Sequence, residues 1–293
     1  MIKALLGILG VFGAWFIFVF FKDFMKNKNN LENNSWTKLI SIGFITDFFD
    51  TLGIGAFAPT TALLRGFKQT NDRTLPGTLN VSHTTSVITE AFIFMTVIEV
   101  DAVTLISMLA AATVGAWVGA AIISRFSEKK IQFTMAFALF ITGFLMLAGK
   151  MGWMPGGGDA IGLTGIKLVI GIIGNFILGA LMTAGIGLYA PCMALVYLLG
   201  MSAKVAFPIM MGSCAFLMPV ASAKFVKEGA YDRKASMGIT IGGVIGVIIA
   251  AYIVKSLPME TLKWLVIGVI FYTCVSMFMT ASKNTETKDR ELA

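Results

Sequence analysis

One short pattern, a glycine–isoleucine–glycine followed three residues later by alanine–proline, occurs twice and has the chemistry of an anion site. Residues 51–63 read TLGIGAFAPTTAL and residues 183–195 read TAGIGLYAPCMAL. Proline suits the first position of a helix, where its missing N–H would be unpaired anyway. Pro59 and Pro191 are therefore expected to open helices. The free N–H groups would then come from Thr60 and Thr61 in one copy, and from Cys192 and Met193 in the other. Such a start, with its local dipole, favours an anion. Gly53, Gly55, Gly185 and Gly187 would let the chain turn and let an oxyanion approach the backbone. A gate or plug that binds nothing uses the same glycines less specifically.

A second group of polar residues lies at 80–90: Asn80, Ser82, His83, Thr84, Thr85, Ser86, Thr89 and Glu90. His83, Ser86 and Glu90 fall along one helical face, and Asn80 and Thr84 stack at i,i+4. A polar face on a membrane helix normally meets a cavity, with Asn80 and His83 as substrate contacts. A hydroxyl-lined helix–helix contact is the other reading. Asp47 and Asp50 sit three residues apart in the apolar stretch before the first glycine pair. An ionised carboxylate in hydrocarbon is costly, so each must be protonated, paired or wet. Proton coupling by Asp47, Asp50 and Glu90 is one role open to them, and a structural role is the other. The three cysteines lie in apolar runs and form no CxxC, and His83 is the single histidine, so no metal site or cofactor is expected. No P-loop is present, and no catalytic constellation assembles from one histidine and scattered carboxylates.

These groups need elements to hold them. In 293 residues, 57% are apolar and 13% charged, against about 25% charged in soluble domains. An all-α integral membrane protein is the reading that remains. Charge-free runs at 4–21, 102–124, 131–149, 205–223, 235–254 and 264–282 each fit one spanning helix, and Pro76 to Ile98 is long enough for another. The run at 4–21 is followed by its basic residues and lacks a cleavage site, which argues for a retained helix over a signal peptide.

Two segments, 37–66 and 162–200, are too long for one plain span and carry glycine and proline near the middle. A shift of 132 residues aligns them without a gap, and Pro76 then matches Pro208. Placing 22–38, 65–73, 125–130, 224–234 and the tail from 283 on the cytoplasmic side puts 17 of the 23 Lys and Arg residues there. That is a positive-inside bias, and it explains the basic net charge without any nucleic-acid partner. Both ends of 37–66 are then inside, and both ends of 162–200 outside. The expected architecture is an N-terminal helix and linker (1–36), repeat one (37–150), an inverted repeat two (162–282) and a cytoplasmic tail (283–293). Each repeat is a re-entrant broken-helix hairpin plus three spanning helices. Two short crossings per long segment fit the charges equally well. Inverted repeats with broken helices are a transporter signature, the substrate sitting near the midplane. A passive channel or a membrane scaffold is the alternative.

On the duplicated segments at 53–59 and 185–191, and on Pro76 beginning the next helix, the chain resembles the sulfite exporter TauE/SafE family from about Ile42 to Met279. The resemblance implies secondary transport of small anions such as sulfite, sulfonates or related organic anions. It also implies the inner (plasma) membrane, where the charge bias puts the N-terminus outside. Ala56, Phe57, Leu188 and Tyr189 stand where the family often has more glycine.

Overall fold

The computed structural model describes residues 2–52, 54–94, 99–153, 158–185, 187–253, 264, 267–268 and 270–282. Gly53 and the tail from 283 lie outside these, as does the side chain of Lys204. The described chain is all helical: α1 (Ile2–Lys26), α2 (Trp36–Thr51), α3 (Phe57–Gly66), α4 (Leu75–Phe94), α5 (Ala102–Ile123), α6 (Glu128–Lys150), α7 (Gly165–Met182), α8 (Tyr189–Leu198), α9 (Ala203–Glu228), α10 (Arg233–Ile253) and α11 (Ile270–Ser282). Local chemistry sets several boundaries. Asp101 caps α5, its Oδ1 accepting from Thr104 N at 2.8 Å. Gly229, with φ of 62°, ends α9 in the left-handed conformation that glycine tolerates.

Among the described residues, six helices are long and apolar enough to cross a membrane: α1, α5, α6, α7, the Pro208–Glu228 part of α9, and α10; the expected span at 264–282 lies partly outside them. This set differs from the expected one. α4 has the length, 20 residues, but its polar stripe lowers its apolarity. α7, expected as half of a hairpin, has a full 18 residues of apolar helix.

The long segments at 37–66 and 162–200 each contain two helices, and the described residues between them (52 and 54–56; 183–185 and 187–188) are non-helical. Hydrogen bonds hold the two ends of each pair together. On the first, Ser35 N donates to Gln69 Oε1 at 2.9 Å, and Asn34 Nδ2 donates to Gln69 O at 2.9 Å. On the second, Ser202 N donates to Ala160 O at 2.9 Å, and Gly158 N to Met201 O at 3.0 Å.

The same bonds sort the loops into two ends. At one end Asn34 Nδ2 reaches Asp232 Oδ2 at 3.0 Å, and Arg233 Nε reaches Asp23 Oδ2 at 2.7 Å. There too Arg73 Nη2 donates to Ser124 O at 2.7 Å. The four polar stretches 22–38, 65–73, 125–130 and 224–234 are thereby stitched into one basic end. Burial pushes the Asp232 carboxyl up to about 6; the Ala235 amide opposes that shift, and Glu32 adds to it. At the opposite end Asp101 N donates to Ile161 O at 2.9 Å. Lys3, Glu99 and Gly162 line a common surface hollow there.

Packing between the halves is reciprocal. The first arm of the first pair, α2, packs mainly on α10; the first arm of the second pair, α7, packs mainly on α5. Under the 132-residue shift α2 corresponds to α7 and α5 to α10, so each half clamps the other. Both clamps are glycine pairs four apart. A Cβ on Gly242 or Gly246 of α10 would stand 1.9 Å from Ile40 O or 2.4 Å from Phe44 O. On α5, a Cβ at Gly115 or Gly119 would stand 2.0 Å from Phe176 O or 2.5 Å from Ala180 O. Helices pressed this closely gain dispersion contacts that larger residues would forbid.

Gly242→Ala should therefore lower stability by about 1–3 kcal/mol through overpacking against backbone. Gly149→Ala, at a site with nothing within 4 Å, should cost nothing measurable. Thermal unfolding of both variants in detergent checks this, and equal melting temperatures would contradict the close crossing.

Candidate functional site

α4 carries the polar stripe, and it lies buried: Asn80, Ser82, His83, Thr84, Ser86 and Glu90 are all shut from solvent. All but Ser86 bond to a neighbouring helix or to their own helix's backbone; Ser86 Oγ has no partner. His83 Nδ1 lies 2.9 Å from both carboxylate oxygens of Asp47 on α2. Its Nε2 lies 3.0 Å from Thr60 Oγ1 on α3, and its ring packs against Phe57 at 5.7 Å. The next residue along, Thr84, places its Oγ1 2.8 Å from Ser222 Oγ on α9. One turn beyond Ser86, Glu90 reaches both broken pairs. Its Oε1 is 2.8 Å from Thr51 Oγ1, and Tyr189 OH donates to its Oε2 at 3.0 Å. Gly243 of α10 leaves room for Asp47 and Ser86, since a Cβ there would stand 2.5 Å from Asp47 Oδ2 and from Ser86 Oγ.

The helix starts differ from the expected register. α3 begins at Phe57 and α8 at Tyr189, so each proline is the third helical residue, not the first. Thr60 N already donates to Ala56 O, and Cys192 N to Leu188 O. The donors left without an intrahelical acceptor are the N–H groups of Phe57 and Ala58, and of Tyr189 and Ala190. Proline at the third position removes one further donor, and the amide of the N-cap Ala56 goes to the Asp50 carboxylate. The register shifted because the apolar Phe57–Ala58 and Tyr189–Ala190 pairs fold into the first turn instead of the approach to it.

Those four residues face one cavity. A void of about 30 Å³ is lined by Ile54 to Ala58 from one tip and by Gly187 to Ala190 from the other. Asp50, Val87, Thr142, Met146, Met182, Cys214 and Ile270 complete its wall. The two breaks thus meet, with the first turns of α3 and α8 in the wall of a common space. Gly55 and Gly187 have nothing within 4 Å of where a Cβ would stand, and Gly55 has φ of 90°. In the second tip it is Gly185, with φ of 98°, that takes the left-handed conformation. Thr142, buried on α6, lines the cavity with an Oγ1 that has no partner. Among the described lining residues no lysine or arginine occurs, and Asp50 is the one carboxylate.

The sequence-predicted residues divide accordingly. Asp50, Gly55 and Gly187 reach the cavity. His83, Thr60 and Asp47 form a buried relay beside it. Thr61 Oγ1 donates to Phe57 O at 2.8 Å. Pro59, Pro191 and Cys192 sit behind the tips. Asn80, whose Nδ2 donates to Pro76 O at 2.9 Å, is not brought to the cavity. Glu90 touches it through Tyr189. Gly53 lies outside the described residues. Thr142, Tyr189 and Gly243 went unforeseen. Thr142 is one of only two threonines in the 131–149 run, which is the signal that would have found it.

A larger hollow of about 570 Å³ opens at the basic end. Its walls include Ala62, Arg65 and Gly66 of α3 and Tyr272, Thr273 and Ser276 of α11. One turn separates it from the tip cavity along each helix, Ala58 to Ala62 and Ile270 to Thr273. Arg65 closes the step: its Nε donates to Asp72 Oδ1 at 2.9 Å and its Nη1 to Ser276 Oγ at 3.1 Å.

Breaking a buried ion pair leaves one charge without its partner. His83→Leu should lower stability by about 3–5 kcal/mol for that reason. Adding Asp47→Asn should restore part of the loss. A double-mutant cycle on unfolding in detergent measures the coupling, and strictly additive losses would contradict a direct Asp47–His83 pair.

A sequence profile for the family described as Sulfite exporter TauE/SafE matches residues 1–146 and 167–292. No curated protein and no solved structure matches the chain.

Proposed function

The chain belongs to the sulfite exporter TauE/SafE family, and from that premise we propose that it is a secondary transporter, acting as an exporter, that holds one small anion between its two broken-helix tips. Family membership makes it a multi-pass membrane anion transporter and not an enzyme. Sulfite, sulfonates or related organic anions are the substrates we assign. The observation that carries the site is the meeting of the first turns of α3 and α8 with an unpartnered Thr142 hydroxyl at one cavity. Backbone donors need no reorganisation to receive an oxyanion, and opposed helix starts add their dipoles. The walls from Val87, Met146, Met182 and Ile270 suit an apolar body attached to the charged group.

The topology we propose has the basic end in the cytoplasm, the N-terminus outside and the C-terminus inside. The two broken pairs are then re-entrant from opposite faces, and the halves form inverted repeats. The bonds joining Ser35 to Gln69, and Gly158 to Met201, support the same-end entry and exit of each pair. Broken backbone is tolerated at that depth because it lines a cavity. The hollow at the basic end, one turn from the tips, supports a path from the cytoplasm whose last barrier is the Arg65 contact to α11. A void of only about 30 Å³ between the tips, walled by packed side chains, favours a carrier that opens alternately over a passive channel. It also favours a carrier over a scaffold, which has no need of unpaired donors at its centre.

Single cysteines at Asn29 and Lys129, in a background without Cys192, Cys214 and Cys274, should react only from the cytoplasmic side. One at Asp159 should react only from outside. Reaction of positions 29 and 159 from the same side would contradict the inverted arrangement. For the site, Thr142→Val should weaken anion binding by about 1 kcal/mol, near fivefold, without loss of stability. Gly55→Leu with Gly187→Leu should abolish it by filling the cavity. Saturable sulfite or sulfonate flux in reconstituted vesicles, with affinity measured on folded protein, tests both. Normal affinity in the double-leucine variant would overturn the site.

A further inference from the structure

Asp50 is an anion already resident where the substrate is placed. It stands at the end of α2, it lines the tip cavity, and the Ala56 backbone amide at the start of α3 hydrogen-bonds to its carboxylate. The site proposed for an anion therefore contains a competing one on the same helix start. Of the groups facing Asp50, His83 on α4 opposes its charge but is already paired with Asp47. Asp47 on α2 is committed to His83 on α4. Glu90 on α4 adds a further carboxyl, and Tyr189 on α8 and Cys214 on α9 contribute neutral hydroxyl and thiol. α6 offers Thr142, and α11 offers Ile270. No lysine or arginine lines the space among the described residues. An anion entering beside an ionised Asp50 would meet like charge in a low-dielectric wall with nothing to neutralise it.

Resting on the transport reading above, we propose that the substrate anion binds together with a proton, and that Asp50 is the group that takes the proton. Protonation forms an O–H on the carboxyl and removes its negative charge. The carboxylate's claim on the Ala56 amide and the α3 dipole is released, and the anion takes its place. On the far side the proton leaves, the carboxylate reclaims the helix start, and the anion is expelled. One proton and one monovalent anion move together, outward whenever the anion's own gradient outweighs the opposing pH gradient, and nothing is oxidised or reduced. The three buried acids are thereby separated by geometry. Asp47 is a fixed partner of His83. Glu90, held by Thr51 and Tyr189, ties the second tip to α4. Asp50 alone of the three faces the cavity.

The test uses the full chain in proteoliposomes with labelled methanesulfonate, which stays ionised across the working pH range, so a moving proton must ride on protein. A pH-sensitive dye is enclosed in the lumen. The expected result is one proton entering with each anion, and uptake driven by an alkaline lumen. In detergent, methanesulfonate affinity should fall by roughly tenfold per pH unit once Asp50 ionises, because each bound anion carries one proton. Asp50→Asn should bring the proton-to-anion ratio to near zero and flatten that pH dependence, whatever flux remains. Asp50→Glu should retain both. Anion flux in the parent protein with no accompanying proton overturns the coupling and leaves the transport reading standing. A parent ratio of one that persists in Asp50→Asn overturns the assignment to Asp50. If Asp50→Asn does not fold, the parent ratio and the pH slope still decide the coupling, and Asp50→Glu decides the residue through a shifted slope. Absence of saturable exchange of methanesulfonate and of sulfite overturns the transport reading and the coupling with it.

Discussion

Asp47, Asp50, His83 and Glu90 are buried among apolar helices, and the need to satisfy them fixes how the broken segments meet. An unpaired ionised side chain in such surroundings costs several kcal/mol. His83 answers Asp47 and reaches Thr60, which ties α4 to both arms of the first pair. Glu90 reaches Thr51 and Tyr189, which ties α4 to the first arm of one pair and the second arm of the other. A single helix thus holds both tips in place. The tips in turn bring the first turns of α3 and α8 and one threonine hydroxyl to a common cavity. The structural pairing and the candidate site are consequences of the same stripe of residues.

Around that centre the halves are held by a different force. Inside a membrane, burial of apolar surface gives little reason for helices to associate, so close contact must supply it. The glycine pairs Gly242–Gly246 and Gly115–Gly119 let α10 and α5 lie against the backbone of α2 and α7. The clamps are crossed between the halves, so movement of either hairpin must be accommodated by a helix of the other half. An alternating mechanism built on this frame would move each hairpin and its clamp together. Polar bonds at the two ends, such as Asn34 to Asp232 and Asp101 to Ile161, are the contacts that such a movement has to remake.

Much of this was legible in the chain. The repeated GIGxxAP segments marked both breaks, because glycine and proline constrain the backbone locally. The basic stretches marked one end, because charge avoids hydrocarbon whatever the tertiary packing. The polar stripe from Asn80 to Glu90 marked the buried helix. Three things were hidden, each for a physical reason. The first turn of α3 and α8 starts two residues before proline, since Phe57–Ala58 and Tyr189–Ala190 have no signal that separates a helix start from its approach. Thr142 reads as an ordinary hydroxyl until its neighbours are known. His83 lies far in sequence from Asp47, and Tyr189 from Glu90, and the cavity wall around Asp50 comes from other helices, so the distinction among three similar acids belongs to tertiary structure.

The account stands on an anion lodged between the two helix starts, and locating that anion tests it most directly. Crystals or particles of the protein with 2-bromoethanesulfonate would place the ligand, by anomalous scattering from the bromine or by density. The account predicts the sulfonate oxygens within hydrogen-bonding distance of the amides of Ala58 and Ala190, with Thr142 turned toward them. A ligand seated instead in the hollow beside Arg65, with the tip cavity unchanged, would contradict it.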